Sequence, residues 1–142
     1  MNEKIIQNKF KENMSAARSE YANGMYDAAF QRLEHAHILG QRYFFMHLLS
    51  HWWMLKVGIK KSDKREIFGQ ITRILTAVPG YLFGWIPKGN TGGANISPVK
   101  PMPLPTDLEE LVGAFNIWHD VRLRLIIFSV FAITMLGLKT YL

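Results

Sequence analysis

The histidine-rich segment from Leu33 to Leu55 contains the residues of this sequence that are best suited to chemistry. It reads LEHAHILGQRYFFMHLLSHWWML and holds four of the five histidines in the chain. Residues three or four positions apart lie on the same face of an α-helix. Glu34 and His37 should therefore project together from one helix, and His47 and His51 from the next. Since a turn is expected between the two pairs, we predict that they face each other inside a helical hairpin.

These four side chains, Glu34, His37, His47 and His51, are candidate ligands for one transition-metal ion. Imidazole and carboxylate groups bind Zn, Fe, Mn and Cu, whereas thiolate sites are excluded because the chain has no cysteine. Their apolar surroundings disfavour the charged imidazolium, so the histidines should be neutral and free to bind a metal. Glu34 could be the fourth ligand or a catalytic base that acts on a metal-bound water. A di-iron centre of the ferritin type is disfavoured, because the sequence contains a single Glu-x-x-His motif.

Two other interpretations of the histidine cluster stay open. The side chains could form a polar core network, in which Glu34 is a hydrogen-bond partner of a buried histidine. They could also form a metal-free catalytic or ligand-binding site. Gln41 lies one turn after His37 and could orient a metal-binding histidine from behind. His35, on the opposite side of its helix, is expected to face solvent, and His119 is a weaker candidate ligand.

Four helices within residues 1–79 must position these side chains. Apolar residues at intervals of three and four positions predict them. In chain order they span Lys4–Asn23, Tyr26–Leu39, Tyr43–Val57, and a segment from an N-cap at Ser62 or Asp63 to about Val78. Pro79 and Gly80 should end the fourth helix. A turn at Gly40 and Gln41 would fold the second and third helices into the hairpin described above.

The first two helices carry a pattern that resembles a tetratricopeptide-type helix pair. The residues of this pattern are Tyr21, Gly24, Tyr26, Ala29 and Ala36, and the third and fourth helices are a looser second copy. A solenoid needs about three such units, so we predict two antiparallel hairpins rather than a repeat array. The same scaffold suggests a different function, an adaptor that binds a partner peptide or helix.

Residues 80–105 are predicted to form an ordered loop that folds over the helices. The segment contains five glycines and five prolines, which exclude a regular helix or strand. A stretch of this length in a small domain is usually either functional or a linker. Its GNTGGAN sequence lacks the order of a phosphate-binding loop and is predicted to be a structural turn. Backbone N–H groups at Gly92 and Gly93 could still bind an anion or lie over the histidines.

Residues 106–142 are predicted to form an amphipathic helix that becomes uniformly apolar. The fourteen residues from Leu125 to Leu138 carry no charge and would span ~21 Å as a helix, less than the ~30 Å hydrocarbon layer. Flanking basic side chains could extend this reach, so we predict a membrane anchor that contacts lipid through residues 125–142. The alternative is a buried helix or one that forms a homo-oligomer.

The charges beside this segment predict where the rest of the chain would lie. Arg122 and Arg124 precede the apolar run, and basic residues favour the cytoplasmic side of a membrane. We therefore predict a location on the cytoplasmic face of the inner membrane if the helix inserts. Without insertion, the protein would be cytoplasmic.

The net charge of +6 favours anionic partners, and part of this charge is concentrated in one segment. Lys60, Lys61, Lys64 and Arg65 are expected either at a solvated helix end or against anionic lipid headgroups. Nucleic acid is not an expected partner, because base-stacking aromatic residues do not alternate with these basic residues.

Three motifs in combination resemble the bacterial family catalogued as domain of unknown function 3703 (DUF3703). They are LEHAHILGQ, the following H-x-x-x-HWWML, and W-x-P-x-GNTGGAN-x-S with KPMP-x-P. The resemblance covers roughly residues 10–110, and the family carries no established activity. It implies that these segments belong together, so that five residues contribute to one site: His37, Gln41, His47, His51 and Asn90.

The sequence thus predicts an all-α protein with two helical hairpins, a long Gly/Pro-rich loop and a hydrophobic C-terminal helix. The leading functional hypothesis is a membrane-associated protein that binds one transition-metal ion and could be a metalloenzyme. The alternative is a tetratricopeptide-like adaptor, in which the histidines are a structural core network.

Overall fold

In a computed structural model of the protein, residues 3–113 and 117–141 are described, and they form six α-helices and no β-strand. The helices are α1 (Glu3–Ala22), α2 (Tyr26–Gly40), α3 (Phe44–Lys60), α4 (Lys64–Phe83), α5 (Thr106–Val112) and α6 (Ile117–Tyr141). The prediction of an all-α fold is confirmed. Consecutive helices from α1 to α4 pack against each other, and the tetratricopeptide-like interpretation of this pairing stays a prediction.

An apolar core lies between α1, α2 and α3, and α5 contributes to it. Apolar residues recur along one face of α1 at intervals of three and four, so that a single stripe of this helix is buried. Leu33 of α2 and Met54 of α3 are fully buried in this core. Leu108 and Val112 add the apolar face of α5. This half of the molecule follows the ordinary arrangement, with apolar side chains inside and polar side chains outside.

Helix α4 runs past Val78 and through Pro79, so the prediction that it ends there was wrong. It begins at one of the two predicted caps, where the Asp63 side chain accepts a hydrogen bond from the Glu66 N–H at 3.0 Å. A proline inside a helix removes one N–H donor, but the neighbouring turns can continue. The helix ends instead at Gly84, whose φ of +73° is a left-handed conformation that glycine adopts without a steric penalty.

The segment of residues 84–105 contains no helix or strand and returns across the surfaces of α2 and α4. Two side chains hold it. Gln41, directly after α2, donates to the backbone carbonyls of Pro87 and Asn90, and Arg73 of α4 donates to the carbonyl of Ile96. A backbone hydrogen bond of 3.1 Å from Met102 to Lys88 closes the segment on itself.

The C-terminal part of the chain differs from the single helix that was predicted for residues 106–142. It contains two helices, α5 and α6, and residues 114–116 between them lie outside the described residues. The predicted lipid-contacting segment 125–142 falls within α6, except for Leu142, which also lies outside the described residues.

Helix α6 is long and apolar enough to cross a membrane over Val121–Leu138. Within this stretch Val121 is buried, and nearly all of the other side chains are exposed. The helix meets the rest of the fold mainly at α4, where the Arg124 guanidinium lies 3.4 Å from the centre of the Tyr81 ring. An apolar helix in the core of a soluble protein is normally covered, whereas this one presents its apolar surface outward.

Candidate metal centre

Three histidines from two helices meet in the interior of the α2–α3 hairpin. Helix α2 contributes His37, and α3 contributes His47 and His51, which are four positions apart and so share a face. All three side chains are buried. The three pairs of ring centroids are each 4.6 Å apart, and the planes are inclined at 58°, 62° and 60°. The imidazoles are therefore related by a nearly threefold arrangement.

The Nε2 atoms of the three rings point toward a common centre. The distance from His51 Nε2 is 3.2 Å to His37 Nε2 and 3.0 Å to His47 Nε2. Their potential ligand atoms all lie within 4.8 Å of one another. For nitrogen ligands about 2.05 Å from a tetrahedral zinc ion, simple geometry gives N···N separations of about 3.3 Å. The spacing is thus close to that of a three-histidine site.

The hydrogen bond at the far side of His37 fixes its tautomer. His37 Nδ1 lies 2.9 Å from the backbone carbonyl oxygen of Asn90. This oxygen can only accept a hydrogen bond, so Nδ1 carries the proton. Gln41 donates to the same carbonyl at 2.8 Å and accepts from the Gly89 N–H at 3.2 Å. The neutral His37 ring consequently presents an unprotonated Nε2 to the centre.

The tautomer of His51 is fixed in the same way by Gln70. The Gln70 amide nitrogen donates to Glu66 Oε1 at 2.6 Å and to the Gly92 carbonyl at 2.8 Å. This leaves its Oε1 to face His51 Nδ1 at 2.7 Å, and this nitrogen must be the donor. The second carboxylate oxygen of Glu66 accepts from the Ala94 N–H at 2.9 Å, so the whole chain of hydrogen bonds is anchored in the loop.

His47 differs from the other two histidines, because its buried Nδ1 has no hydrogen-bond partner among the described residues. Its proton can therefore be on Nδ1 or on Nε2. In either case the neutral cluster places at most one proton among three converging Nε2 atoms. Between His37 and His51 in particular, two lone pairs face each other at 3.2 Å. Such a contact is electrostatically unfavourable unless a cation lies between the nitrogens.

A proton is a poor candidate for that cation at neutral pH. Burial lowers the pKa of His37 and of His51 well below the ordinary value of 6.5, and the neighbouring histidines lower both further. Burial also lowers the pKa of His47 to about 4. The histidines are therefore neutral at pH 7, which is the protonation state that a metal ion requires.

The predicted residues Gln41 and Asn90 lie directly behind His37. The Asn90 side chain donates to the carbonyls of Ser97 and Lys100 and accepts from the Gly92 N–H at 2.9 Å. The side chain therefore shapes the segment of residues 84–105, while the backbone carbonyl of Asn90 holds His37. Gly92 has a φ of +86°, and a Cβ there would lie 2.7 Å from the His37 ring. Glycine is thus required at this position for both conformation and close approach.

Glu34 does not belong to the converging group. Its half-buried carboxylate is not among the ligand atoms that lie within 4.8 Å of one another. Burial raises its pKa above the ordinary value of 4.5. The structure thus does not group Glu34 with the three histidines, and its role as a base stays a prediction.

The other sequence candidates lie away from the centre. His35 Nδ1 lies 3.1 Å from the Gln31 carbonyl at the helix surface, and His119 is exposed. The basic residues Lys60, Lys61, Lys64 and Arg65 are exposed at the α3–α4 turn, and Lys61 forms an ion pair with Asp27.

Glu66 and Gln70 are site residues that were not predicted. A signal for them exists in the sequence, because Glu66, Gln70 and Arg73 recur at helical spacing along one side of α4. The opposite side of α4 is strongly apolar, and the usual rule turns an apolar stripe inward. In the structure that stripe is exposed, with Phe68 at 74% and Leu75 at 74%.

A cavity of about 290 Å³ opens on the histidine cluster. All three histidines line it, together with residues of α4 and of the segment that follows α4. Protein ligands would therefore occupy one side of the centre, while the cavity leaves room for a further ligand. Zinc sites with three protein ligands and one open position are typical of catalytic rather than structural zinc.

Comparison with known proteins identifies a family. The model of the family described as "Protein of unknown function (DUF3703)" matches residues 4–112, which include the three histidines, Gln70 and Asn90. Helix α6 lies beyond this match. No curated protein and no solved structure matches the chain.

Proposed function

Because this chain belongs to the DUF3703 family, whose function is unknown, we propose a function from the site itself: a membrane-associated protein that binds one transition-metal ion through His37, His47 and His51. Zn, Fe, Mn and Cu all accept imidazole ligands, and the donor set suits any of them. The metal would have an open position toward the cavity, which suits a metalloenzyme.

One observation carries the metal proposal. Both His37 and His51 place the Nδ1 proton on an oxygen acceptor, so their Nε2 lone pairs face each other at 3.2 Å inside the protein. In a polar network without a metal, a donor would face an acceptor at this contact. The hydrogen bonds behind the rings of His37 and His51 are also the usual arrangement of metal-binding histidines.

The test of the metal proposal is elemental analysis of the detergent-purified protein. We expect near-stoichiometric metal in the wild type and none in His47→Ala/His51→Ala. His35→Ala is the matched control, since His35 is a surface histidine on the same hairpin, and it should retain the metal. Circular dichroism shows that each variant is folded. A folded wild type without metal, even after incubation with Zn²⁺, Fe²⁺, Mn²⁺ and Cu²⁺, would contradict the proposal.

Membrane association is supported by two exposed apolar surfaces. One is α6 over Val121–Leu138. The other is the outer face of α3 and α4, which we define by Phe45, Trp52, Phe68, Ile71 and Leu75. Phe45 lines a cleft with Phe128 of α6, and also a cleft with Trp52, so the two surfaces are continuous. The exposed Lys60, Lys61, Lys64 and Arg65 would suit contact with anionic headgroups.

Alkaline carbonate extraction of membranes tests insertion. The wild type should stay in the membrane pellet, because α6 would be embedded in the hydrocarbon layer. Phe128→Glu/Phe131→Glu should release the protein, whereas Phe68→Glu/Leu75→Glu, which adds the same charge to the outer face, should leave it in the pellet. Release of the wild type would contradict insertion.

The outer face also supports the second candidate, an adaptor that binds a partner helix or peptide. An exposed apolar surface of this kind can receive the apolar face of an amphipathic helix. In this case the protein would be metal-free and cross-linking to a partner would be lost in Phe68→Glu/Leu75→Glu. A metal-containing protein that is extracted only by detergent would speak against it.

A further inference from the structure

The cavity beside the histidines has walls of two kinds. Its outer wall is apolar and contains Pro79, Trp85 and Val99. Its inner end is formed by the three histidines, and Arg73 lies on the α4 side. A volume of about 290 Å³ is at the lower end of the range for small-molecule sites.

Arg73 is the only Lys, Arg, Asp or Glu side chain among the described residues that line this cavity. Its guanidinium donates to three backbone carbonyls, those of Gly69, Gly93 and Ile96. These carbonyls hold the group in place but do not neutralise its charge. A guanidinium has five N–H donors, so two remain for a ligand.

Arg73 and the three histidines line the same cavity. No Asp or Glu side chain lines the cavity among the described residues. Glu66 acts electrostatically on Arg73 from outside this lining. A divalent ion at the histidines would add positive charge to a cavity whose lining already contains a cation and no carboxylate.

We propose that this cavity binds a small organic carboxylate with an apolar body, whose carboxylate lies between the metal position and Arg73. This inference rests on the proposed metal site and names the class of ligand for it. A carboxylate supplies one oxygen for a metal, and its other oxygen accepts a charge-assisted hydrogen bond from a remaining guanidinium N–H. The apolar body is required by the outer wall, where a fully hydrated anion would lose water without compensation.

The probe is benzoate, with benzamide as an uncharged molecule of the same shape. The full chain, purified in detergent and loaded with Co²⁺, is titrated with each, and the visible absorption of the cobalt reports a new ligand. We expect benzoate to change the spectrum in a saturable manner and benzamide to have no effect. Arg73→Gln should weaken benzoate at least tenfold, because a charge-assisted hydrogen bond is lost, while Co²⁺ binding is retained.

Arg73 also holds the loop, so its replacement could disturb folding. Val99 provides an independent test, because it is 67% exposed at the cavity and can be changed without affecting the core. Val99→Glu should weaken benzoate binding at least about threefold by charge repulsion. Val99→Gln, whose side chain has the shape of glutamate without its charge, should not.

The outcomes separate this inference from the metal site itself. Equal binding of benzoate and benzamide, or no binding of benzoate to a cobalt-loaded protein, would overturn the carboxylate inference and leave the metal site standing. A folded wild type that does not bind Co²⁺ would overturn both.

Discussion

The two halves of the helical fold bury opposite kinds of side chain. Between α1 and α2 the interior is apolar, with residues such as Phe10, Met14 and Leu33. Between α2, α3, α4 and the loop, the interior contains all of the buried polar residues of the described chain. These are His37, Gln41, His47, Ser50, His51, Glu66, Gln70 and Asn90.

This difference indicates that the two halves meet different requirements. Apolar burial stabilises a fold, whereas a buried polar group contributes little net stability even when it is hydrogen-bonded. A polar interior with apolar side chains on its outer face, as in α3 and α4, is therefore better explained by a binding function than by stability. The comparison predicts that mutations in the first half lower stability and that mutations in the second half lower metal binding.

The largest effect on stability is expected for Leu33→Ala. Leu33 is fully buried in the apolar core, and such truncations cost about 2–5 kcal/mol because they remove buried methyl groups and leave a cavity. Urea denaturation followed by circular dichroism measures this loss. The folded variant should still bind metal stoichiometrically, because Leu33 is not a ligand. Loss of metal from a folded Leu33→Ala protein would show that the two halves are not independent.

His47→Leu should lower metal binding and leave the stability of the fold nearly unchanged. Removal of a ligand should weaken metal binding more than about a hundredfold, since the loss of a hydrogen bond behind a ligand already costs 10–100-fold. The metal-free protein should lose less than about 1.5 kcal/mol, because His47 Nδ1 has no partner and leucine has a similar volume. Competition with a chromophoric chelator measures the affinity, and urea denaturation measures the stability. A large loss of stability would indicate that His47 is a structural residue.

Gln70→Ala should have a smaller effect on the same site. It removes the acceptor of the His51 Nδ1 proton, and the loss of such a partner typically lowers metal affinity about 10–100-fold. Gln31→Ala, on the exposed surface of α2, is the control and should leave the affinity unchanged. If Gln70→Ala binds metal as tightly as the wild type, the hydrogen bond to His51 does not orient the ligand.

The sequence was sufficient for those parts of the fold and site that depend on local spacing. Helical periodicity located four helices, and spacings of three and four residues brought His37, His47 and His51 together. The same reasoning included Glu34, because spacing along a helix does not determine how far a side chain turns from its neighbour. The end of α4 was missed because it depends on the left-handed backbone of Gly84 rather than on Pro79.

The support for His51 could not be predicted from local patterns. Gln70 is 19 positions from His51, and the two meet only when α3 and α4 have packed. The apolar residues of α4 also favoured the wrong inward face, since Phe68 and Leu75 lie outside while Glu66 and Gln70 lie inside. Hydrophobic patterning identifies the buried face of a helix only when the opposite face is in water. When the outer face of a helix contacts lipid or a partner, the apolar side chains lie on that outer face instead.

Protonation of the histidines in the metal-free protein is expected to have the smallest effect near neutral pH, and this effect is on the free energy of unfolding. Burial lowers the folded-state pKa of His47 from 6.5 to about 4. Below pH 6.5 the unfolded chain therefore binds a proton that the folded chain does not, so the free energy of unfolding falls as the pH is lowered toward 4. His37 and His51 shift in the same direction.

Urea denaturation of the metal-free protein between pH 7.5 and 4, a range chosen to cover this window, measures the slope. The wild type should lose stability steadily below about pH 6.5, and His47→Leu should lose less, because one of the three groups is absent. Gln31→Ala, which removes no ionisable group from the exposed surface of α2, should follow the wild type. A wild-type stability that does not depend on pH in this range would mean that the polar interior is hydrated. The two halves of the fold would then differ in how their side chains pack, but not in how their stability depends on protonation.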